Sequence, residues 1–517
     1  MNFHIKAEYS KLFGKTAPTL QETMSSNLDP SLLIVLSMIS YTDRSQQINE
    51  RLKSILDLSE DGKKIISTVK INKRPSNLIL WTELLKNSFD NFKLSDFNFN
   101  NPLKKIAEQL TIINEAEKDD GDINQYLLKN TLYFYQDNYA FQFYRAFNIF
   151  ISNEIMKKYA EEFENKNRIS LKDFILISNL FNNYYDQNKE WYNANSWILH
   201  IESFSKYSNI SFEKINKFMD IVSFNKDDIN KFSKSKDYKN HNFNFFNNKP
   251  FYKISEGLFI PVDGKLSQNL IFNNLYYRLL KSNNDSNAFM RDFGKAFEQY
   301  VSHLVSFVEK KSKNYKYKML EEFEFGNPQK KSSDAYIIFK DKKINKKIVL
   351  VVEVKSARIL DKFKRLEDDN DSLDKTIQKL TINPLKQQIK ATKEIINSSG
   401  HPEITNDKFY YFMSVSMENF PQQFETVNLD VNDEDLIGIK CAGLNSLNIE
   451  TFELFCKVIS SNSPCSFSYI IEDHRNNYSS LSFKTYLSRL MNRNGYKNIA
   501  MENMIIDSQK FLYLSTQ

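Results

Sequence analysis

Apolar residues recur at helical spacing through most of the first half of the chain. Leu32, Leu36 and Ile39 form one such stripe, and the aromatic-rich segment 133–150 follows the same period. Residues three or four positions apart lie on one face of a helix, so these stripes predict buried helix faces. Residues 1–248 are therefore predicted to form a mostly α-helical domain, and no residue pattern in it indicates chemistry.

The pattern changes after a polar stretch that ends near Pro250. Beyond this stretch, short apolar runs typical of strands alternate with helical stripes. Residues 249–517 are therefore predicted to form a second, α/β domain. The predicted strands are residues 254–262, 336–339, 348–354, 409–415 and 466–471, and the second and third of them are predicted to form a hairpin.

Composition narrows the classes of protein to which the chain can belong. Its 517 residues, 41% apolar and 26% charged, are typical of a folded protein with more than one domain. The longest apolar runs fall far short of the roughly 20 residues of a membrane-spanning helix. The three cysteines form no CxxC pair, and the eleven glycines form no GxG nucleotide-binding loop. We therefore expect a cytoplasmic protein with no membrane partner and no ATP-driven chemistry of its own.

One predicted strand, Val351–Lys355, carries a pattern compatible with catalysis. Its valines at alternate positions are predicted to face the core, so Glu353 and Lys355 project together from the other face. The predicted hairpin would bring Asp334, which precedes the neighbouring strand, close to Glu353. Two such carboxylates repel each other unless a cation lies between them, and oxygen ligands favour Mg²⁺ or Mn²⁺. This edge of the sheet is therefore the candidate site.

Two predicted helices are candidates to complete the site. In the first, Glu298 lies at the edge of a continuous apolar stripe, where a carboxylate must be paired, hydrogen-bonded or bound to a metal. Gly294, one turn earlier, would let another backbone segment approach closely. The second helix is predicted to begin at the cap Asn383 and to end near Gly400, with Gln388 on its apolar face. Taken alone, Glu298 is explained as well by a role at the surface as by a role in the site. Gln388 is likewise explained as well by packing.

The order of these features resembles the PD-(D/E)XK nuclease superfamily. The resemblance covers about residues 288–400, and it implies an α/β restriction-endonuclease-like core, a mixed sheet flanked by helices, that later strands complete. One position departs from the family pattern, because Ser333 rather than proline precedes the aspartate. The motif residues are Gly294, Phe297, Glu298, Asp334, Glu353, Lys355 and Gln388.

The resemblance also implies a role for each site residue. Asp334 and Glu353 would bind a catalytic Mg²⁺, for which Mn²⁺ would substitute, with help from the main-chain carbonyl of Val354. Glu298 would hold a second metal ion or its water. Lys355 would orient and help deprotonate the attacking water, or stabilise charge on the phosphate. Gln388 would position the lysine or the substrate.

Three groups of basic residues are candidate contacts for nucleic acid. We expect them to flank the site and to neutralise backbone phosphates, as the mildly basic net charge of +6 allows. Each group taken alone is explained equally by a solvated surface. The groups are Lys311, Lys313 and Lys316; Lys342, Lys343, Lys346 and Lys347 in the hairpin turn; and Arg475, Arg489 and Arg493 near the C-terminus.

Together these observations predict a metal-dependent nuclease. DNA is favoured over RNA because the superfamily acts mostly on DNA. The helical domain would engage a partner protein, a second copy of the chain or the substrate. An AT-rich, bacterial type of composition and the lack of a motor fit a restriction or antiviral defence effector. Two alternatives stay open: a catalytically silent nucleic-acid-binding or scaffold protein with the same fold, and a nuclease gated by a partner.

Overall fold

The chain forms two compact units in the computed structural model. One unit comprises residues 2–146, 159–284 and 511–517, and we name it the helical unit; the other comprises residues 147–158 and 285–510, and we name it the sheet unit. The residues that the structure describes are 5–24, 30–41, 45–71, 74–86, 99–116, 139–186, 193–341, 345–358, 375, 378–417 and 436–516.

The helical unit is built mainly from short and medium helices. Helix α3 is a central element of this unit, because ten of the eleven side chains of this apolar segment are buried. The described helices are α1 (Tyr9–Phe13), α2 (Leu20–Thr23), α3 (Ser31–Tyr41), α4 (Ser45–Ile55), α5 (Glu60–Ile65), α6 (Arg74–Lys86), α7 (Asn100–Ala116), α8 (Tyr139–Ala146), α9 (Lys157–Asn167), which begins in the sheet unit, α10 (Leu171–Asp186), α11 (Ile201–Ser208), α12 (Phe212–Val222), α13 (Lys226–Ser233), α14 (Lys236–Lys239), α15 (Asn244–Asn248), α16 (Gly264–Asn269) and α17 (Asn273–Ser282), with a 3-10 turn at Ala194–Trp197.

The helical unit also contains strands, which the sequence analysis did not predict there. The run 254–262, predicted as one strand, is a hairpin that turns at Gly257, whose φ of 71° favours glycine. This hairpin pairs with two short strands in a four-stranded sheet, and segment 249–284 therefore belongs to the helical unit rather than to the C-terminal unit. The strands are β1 (Ile5–Lys6), β2 (Val69–Lys70), β3 (Leu199–His200), β4 (Ser223–Phe224), β5 (Phe251–Ser255) and β6 (Leu258–Pro261), of which β1 and β2 pair separately.

The sheet unit is an α/β structure around a five-stranded mixed sheet. Its strand order is β13-β12-β11-β10-β7, in which β7, β10 and β11 are antiparallel neighbours and β11, β12 and β13 run parallel. The strands are β7 (Lys318–Glu321), β8 (Glu324–Phe325), β9 (Lys330–Lys331), β10 (Ala335–Asp341), β11 (Lys346–Lys355), β12 (Phe409–Ser416) and β13 (Lys440–Asn448); β8 and β9 form a separate hairpin.

Six helices of more than two turns accompany this sheet in the described residues. The longest, α18, carries the predicted apolar stripe, and its stripe residues from Phe289 to Val308 are all buried. The helices are α18 (Ser286–Lys311), α19 (Asn383–Asn397), α20 (Ile449–Ile459), α21 (Phe467–Asn477), α22 (Phe483–Asn494) and α23 (Ile499–Thr516), whose last residues belong to the helical unit; π-helical turns lie at Phe147–Ile151 and Gln378–Ile382, and a 3-10 turn at Glu154–Met156.

Both faces of the five-stranded sheet are covered. On one face, Tyr336 and Val351 pack with Leu385 and Ile389 of α19 in a single apolar cluster. Residues that point to the other face, such as Leu350, are equally buried. A mixed sheet flanked by helices, as predicted, is therefore confirmed for this unit.

The predicted hairpin is confirmed as β10 and β11, and the predicted strand at 409–415 is confirmed as β12. The prediction for residues 466–471 is wrong, because this run begins α21, capped by the Ser466 side chain. The last strand of the sheet is β13 instead. Residues 133–138 of the aromatic segment lie outside the described residues. No helix in the described residues is long and apolar enough to cross a membrane.

Candidate active site

The β10–β11 hairpin brings Asp334 to the end of β11. Ala335 pairs with Val352 in this antiparallel ladder, so the next position along the register sets Asp334 beside Glu353. The Val354 N–H donates a hydrogen bond of 2.7 Å to Asp334 Oδ2. The predicted approach of Asp334 to Glu353 is therefore confirmed, and its cause is the strand register.

The strand β11 presents Glu353 and Lys355 together, as its alternation predicts. The valines at 352 and 354 are buried, and the Lys355 Nζ lies 2.9 Å from Glu353 Oε1. Only 7% of the Glu353 side chain is exposed, against 29% for Lys355. The carboxylate is therefore held inside the protein by an ammonium group that reaches toward solvent.

Helix α18 contributes a third carboxyl group through Glu298. One turn earlier, a Cβ at Gly294 would lie 3.2 Å from the Ser356 Oγ, so the glycine lets α18 lie close to the segment that follows β11. Glu298 is itself solvent-exposed. Its charge nevertheless acts on Glu353, and that of Asp334 acts on Glu298, so the three carboxyl groups form one electrostatic cluster. We name Asp334, Glu353 and Glu298 the carboxylate cluster.

Proton binding in the carboxylate cluster is shifted toward neutral pH. Burial raises the pKa of Asp334 to about 7, with a further contribution from Glu353, against the opposing Val354 amide and Lys355 ammonium. Burial and then the charge of Asp334 raise the pKa of Glu298 to about 7, although solvent at this exposed side chain screens part of the effect. Burial, with a smaller contribution from the charge of Glu298, raises the pKa of Glu353 against the opposing Lys355 ammonium. A cation would relieve this repulsion.

The donor set of the cluster fits a hard divalent cation. Carboxylate oxygens are the ligands that Mg²⁺ and Mn²⁺ prefer. Within the described residues, no group of three or more His, Cys, Asp or Glu side chains is placed so that it could hold a metal ion. One oxygen each of Glu353 and Asp334 is instead engaged by Lys355 and by the Val354 amide. The role of the Val354 carbonyl stays a prediction.

Glu322, the residue that follows β7, is a fourth acidic residue beside the cluster that the sequence analysis missed. Its charge raises the pKa of both Asp334 and Glu298. Its carboxylate also binds Lys331 at 2.8 Å. The only signal in the sequence was the acidic run around it, and its place beside Asp334 follows from the β7–β10 pairing.

Gln388 lies on the buried face of α19, as predicted, but its amide is anchored to the sheet. Its Nε2 donates a hydrogen bond of 2.9 Å to the carbonyl of Met413 in β12. Met413 pairs with Val352, one position before Glu353. Gln388 is thus close to the end of the strands that carries the site, and its action on Lys355 or substrate stays a prediction.

Lys346 and Lys347 of the β10–β11 hairpin do not flank the site, contrary to the expectation. Lys346 and Lys347 begin β11, whereas Glu353 lies near its end, about 20 Å from Lys347 at the rise of a strand. Lys347 is instead paired with Glu403 at 2.8 Å. A hairpin turn and the open ends of its strands lie at opposite ends, which is the physical reason for the error. Lys342 and Lys343 lie outside the described residues.

In the other two basic groups, Lys311 and Arg475 are also remote from the carboxylate cluster along their elements, and the approach of Arg489 and Arg493 to the site stays a prediction. Lys311 ends α18, thirteen residues or about 20 Å beyond Glu298, and Lys313 and Lys316 follow it. Arg475 donates to the carbonyl of Ala442, near the start of β13, the end of that parallel strand away from the site. Arg489 and Arg493 are exposed on α22. Outside the motif, the charge of a different basic residue, Lys331, acts on the cluster through Glu298.

Comparison of the chain with protein-family models, with curated proteins and with solved structures found no match.

We predict that the metal-free protein becomes less stable as the pH rises toward neutrality. The carboxyl of Asp334 has an ordinary pKa of 3.8 and a pKa of about 7 in the folded chain. Its contribution to stability is therefore fully present below about pH 3.8 and is lost as the pH rises through about 7. The measurement is the unfolding temperature in EDTA at about pH 5 and about pH 8.

The matched variant for this prediction is Asp334→Asn, which retains an acceptor for the Val354 N–H but does not ionise. It should flatten the difference between the two pH values. Added Mg²⁺ at the higher pH should stabilise the wild type and not the variant. An identical pH dependence in the two proteins would contradict the prediction.

Proposed function

We propose that this protein is a metal-dependent nuclease of the PD-(D/E)XK type that hydrolyses phosphodiester bonds in DNA. The observation that carries the proposal is the meeting of Asp334, Glu353 and Lys355 at the open end of one hairpin. The three carboxyl groups of the carboxylate cluster repel one another, yet they share this partly buried place with one ammonium group. Structural roles of the separate residues do not explain why they are gathered there.

The surrounding elements support the proposal. Helix α18 precedes the hairpin and carries Glu298, and α19 follows it and carries Gln388 on the face that packs against β11 and β12. The parallel pairing of β11, β12 and β13 adds the strands that a restriction-endonuclease-like core requires after the motif. The order of motif, hairpin, helix and parallel strands is thus the order that the resemblance implies.

Each residue has a chemical task in this proposal. Asp334 and Glu353 would hold Mg²⁺, which supplies positive charge for the phosphate oxygens and a more acidic water when bound, and Glu298 would hold a second metal ion or its water. Lys355, held by Glu353, directs an ammonium group toward the solvent side of the site, where it stabilises negative charge on a phosphate or exchanges a proton with the attacking water. The buried sheet excludes water from behind the carboxylates, which strengthens these interactions.

The proposal is tested by cleavage of plasmid, linear duplex DNA, single-stranded DNA and RNA in Mg²⁺, Mn²⁺ and EDTA. We expect DNA cleavage that requires a cation, and a loss of about 100-fold or more in Lys355→Met. Cation binding by calorimetry should persist in this variant, because it retains all three carboxylates. The control is Lys340→Met, the same change at an exposed position of β10.

Each other outcome identifies an alternative. Cation binding that depends on Asp334 and Glu353, without cleavage of any substrate, would indicate a nuclease gated by a partner of the helical unit. A chain that neither cleaves nor binds a cation would be a catalytically silent nucleic-acid-binding or scaffold protein. Cleavage of RNA alone would correct the substrate, and cleavage in EDTA would contradict the metal mechanism.

A further inference from the structure

A second acid–base pair stands beside the carboxylate cluster and has no task in the mechanism above. The Lys331 Nζ lies 2.8 Å from Glu322 Oε2, and the two side chains are 68% and 39% exposed. Such exposed pairs contribute about 0–1 kcal/mol to stability, so this pair is not explained by the stability of the fold.

The backbone fixes the place of this pair. Strand β7 pairs with β10 as far as Glu321 opposite Ala335, and β8 pairs with β9 through Glu324 opposite Lys331. Between the two ladders, the Ser332 N–H donates to the Phe323 carbonyl at 2.8 Å, and the Phe323 N–H donates to the Ser332 Oγ at 2.9 Å. Glu322 and Lys331 therefore lie diagonally across two tied segments, the second of which leads directly into Asp334.

The pair lies within the electrostatic range of the cluster. The charge of Glu322 acts on Asp334 and Glu298, and that of Lys331 acts on Glu298. The charges of Glu322, Glu298 and Glu324 act in turn on Lys331. With 68% of its side chain exposed, Lys331 is a solvent-accessible positive charge at the edge of the site.

We propose that Lys331 is a contact for a backbone phosphate of DNA next to the bond that is cut, and that Glu322 holds it in place until DNA binds. On binding, the ammonium group of Lys331 exchanges the Glu322 carboxylate for a phosphate oxygen. The exchange costs little because the pair is exposed, and it replaces one charge-assisted hydrogen bond by another. This inference rests on the proposed function, because it requires that the site binds DNA.

The adjacent residue supplies a matched control. Lys330 lies on the same strand but is directed to Glu394 of α19, at 3.0 Å, because successive side chains of a strand point to opposite faces. Lys330→Gln and Lys331→Gln therefore remove the same charge from the same hairpin. Only the second change removes the charge that interacts with the cluster.

The experiment measures binding of a short fluorescein-labelled duplex DNA to the full chain by anisotropy, in EDTA, over a series of salt concentrations. We expect Lys331→Gln to weaken binding by about 8-fold at about 0.1 M salt and to lower the salt slope by about 1, the effect of one phosphate contact. Glu322→Gln should tighten binding, because it removes the competing carboxylate. Lys331→Arg should retain the wild-type slope.

The outcomes separate this inference from the proposed function. If the wild type cleaves and binds DNA, but Lys331→Gln has the affinity and slope of Lys330→Gln, the inference fails and the proposed function stands. If the wild type binds neither duplex DNA, single-stranded DNA nor RNA, both fail. Unchanged unfolding temperatures of the variants would show that a lost contact, and not a lost fold, causes the change.

Discussion

Replacement of Glu353 by glutamine is expected to lower Mg²⁺-dependent DNA cleavage by about 1000-fold or more. Glutamine has nearly the same shape, and its amide oxygen still accepts a hydrogen bond from Lys355. It lacks the negative charge that holds the cation, and the cation supplies several kcal/mol of charge stabilisation in the transition state. The measurements are kcat/KM for linear DNA and the affinity for Mg²⁺ by calorimetry.

The fold should survive this replacement. The raised pKa of Glu353 shows that its charged form is disfavoured in the folded chain, so a neutral side chain relieves repulsion from Glu298. The unfolding temperature in EDTA should therefore be equal to that of the wild type or higher. The control is Glu394→Gln, the same change on α19 at a residue that binds Lys330. Wild-type cleavage in Glu353→Gln would overturn the metal-binding role of this residue.

Replacement of Phe297 by alanine is expected to destabilise the sheet unit by about 3–5 kcal/mol. The ring is fully buried on α18 and stacks on Phe293, with centroids 6.2 Å apart. Its removal leaves a cavity. A long, regular helix can shift only far enough to close part of it. Because Glu298 is the next residue, the cleavage activity should fall by more than the loss of folded protein alone would cause. The measurement is hydrogen exchange of amides in α18 as a function of denaturant.

The control for this variant is Met290→Ala on the same helix, where 44% of the side chain is exposed. A change there should stay within about 0.5 kcal/mol, as for most surface positions. A Phe297→Ala protein as stable as Met290→Ala would show that α18 is not held by its apolar stripe, and the position of Glu298 would then need another explanation.

The sequence predicted the centre of the site because its geometry is local. Alternation along β11 sets Glu353 and Lys355 on one face, and a hairpin of two adjacent strands brings Asp334 to them. The stripe of α18 likewise depends only on the helical period, and it places Glu298 at the edge of a buried face. These features can be predicted without knowing how distant segments of the chain pair.

Features that depend on pairing between distant segments were missed. Strand β13 has the sequence KCAGLNSLN, which contains none of the β-branched residues that favour strands. It is a strand because it pairs with β12. The run at 466–471 has an apolar pattern that fits a strand or a buried helix, and the Ser466 cap favours the helix. Glu322 became a neighbour of Asp334 only through the β7–β10 ladder.

The end of the sheet remote from the site responds to protons in the opposite sense. Hydrogen bonds from Lys347 and Lys318, at 2.8 and 3.0 Å, lower the pKa of Glu403 to about 2 from its ordinary 4.5. The stability that this carboxylate contributes is present above about pH 4.5 and is lost as the pH falls through about 2. Strong acid therefore weakens the contacts of β7 and β11 at the hairpin end, whereas a rise toward neutral pH weakens the carboxylate end. The two ends of one sheet thus lose stability at opposite ends of the pH scale below neutrality.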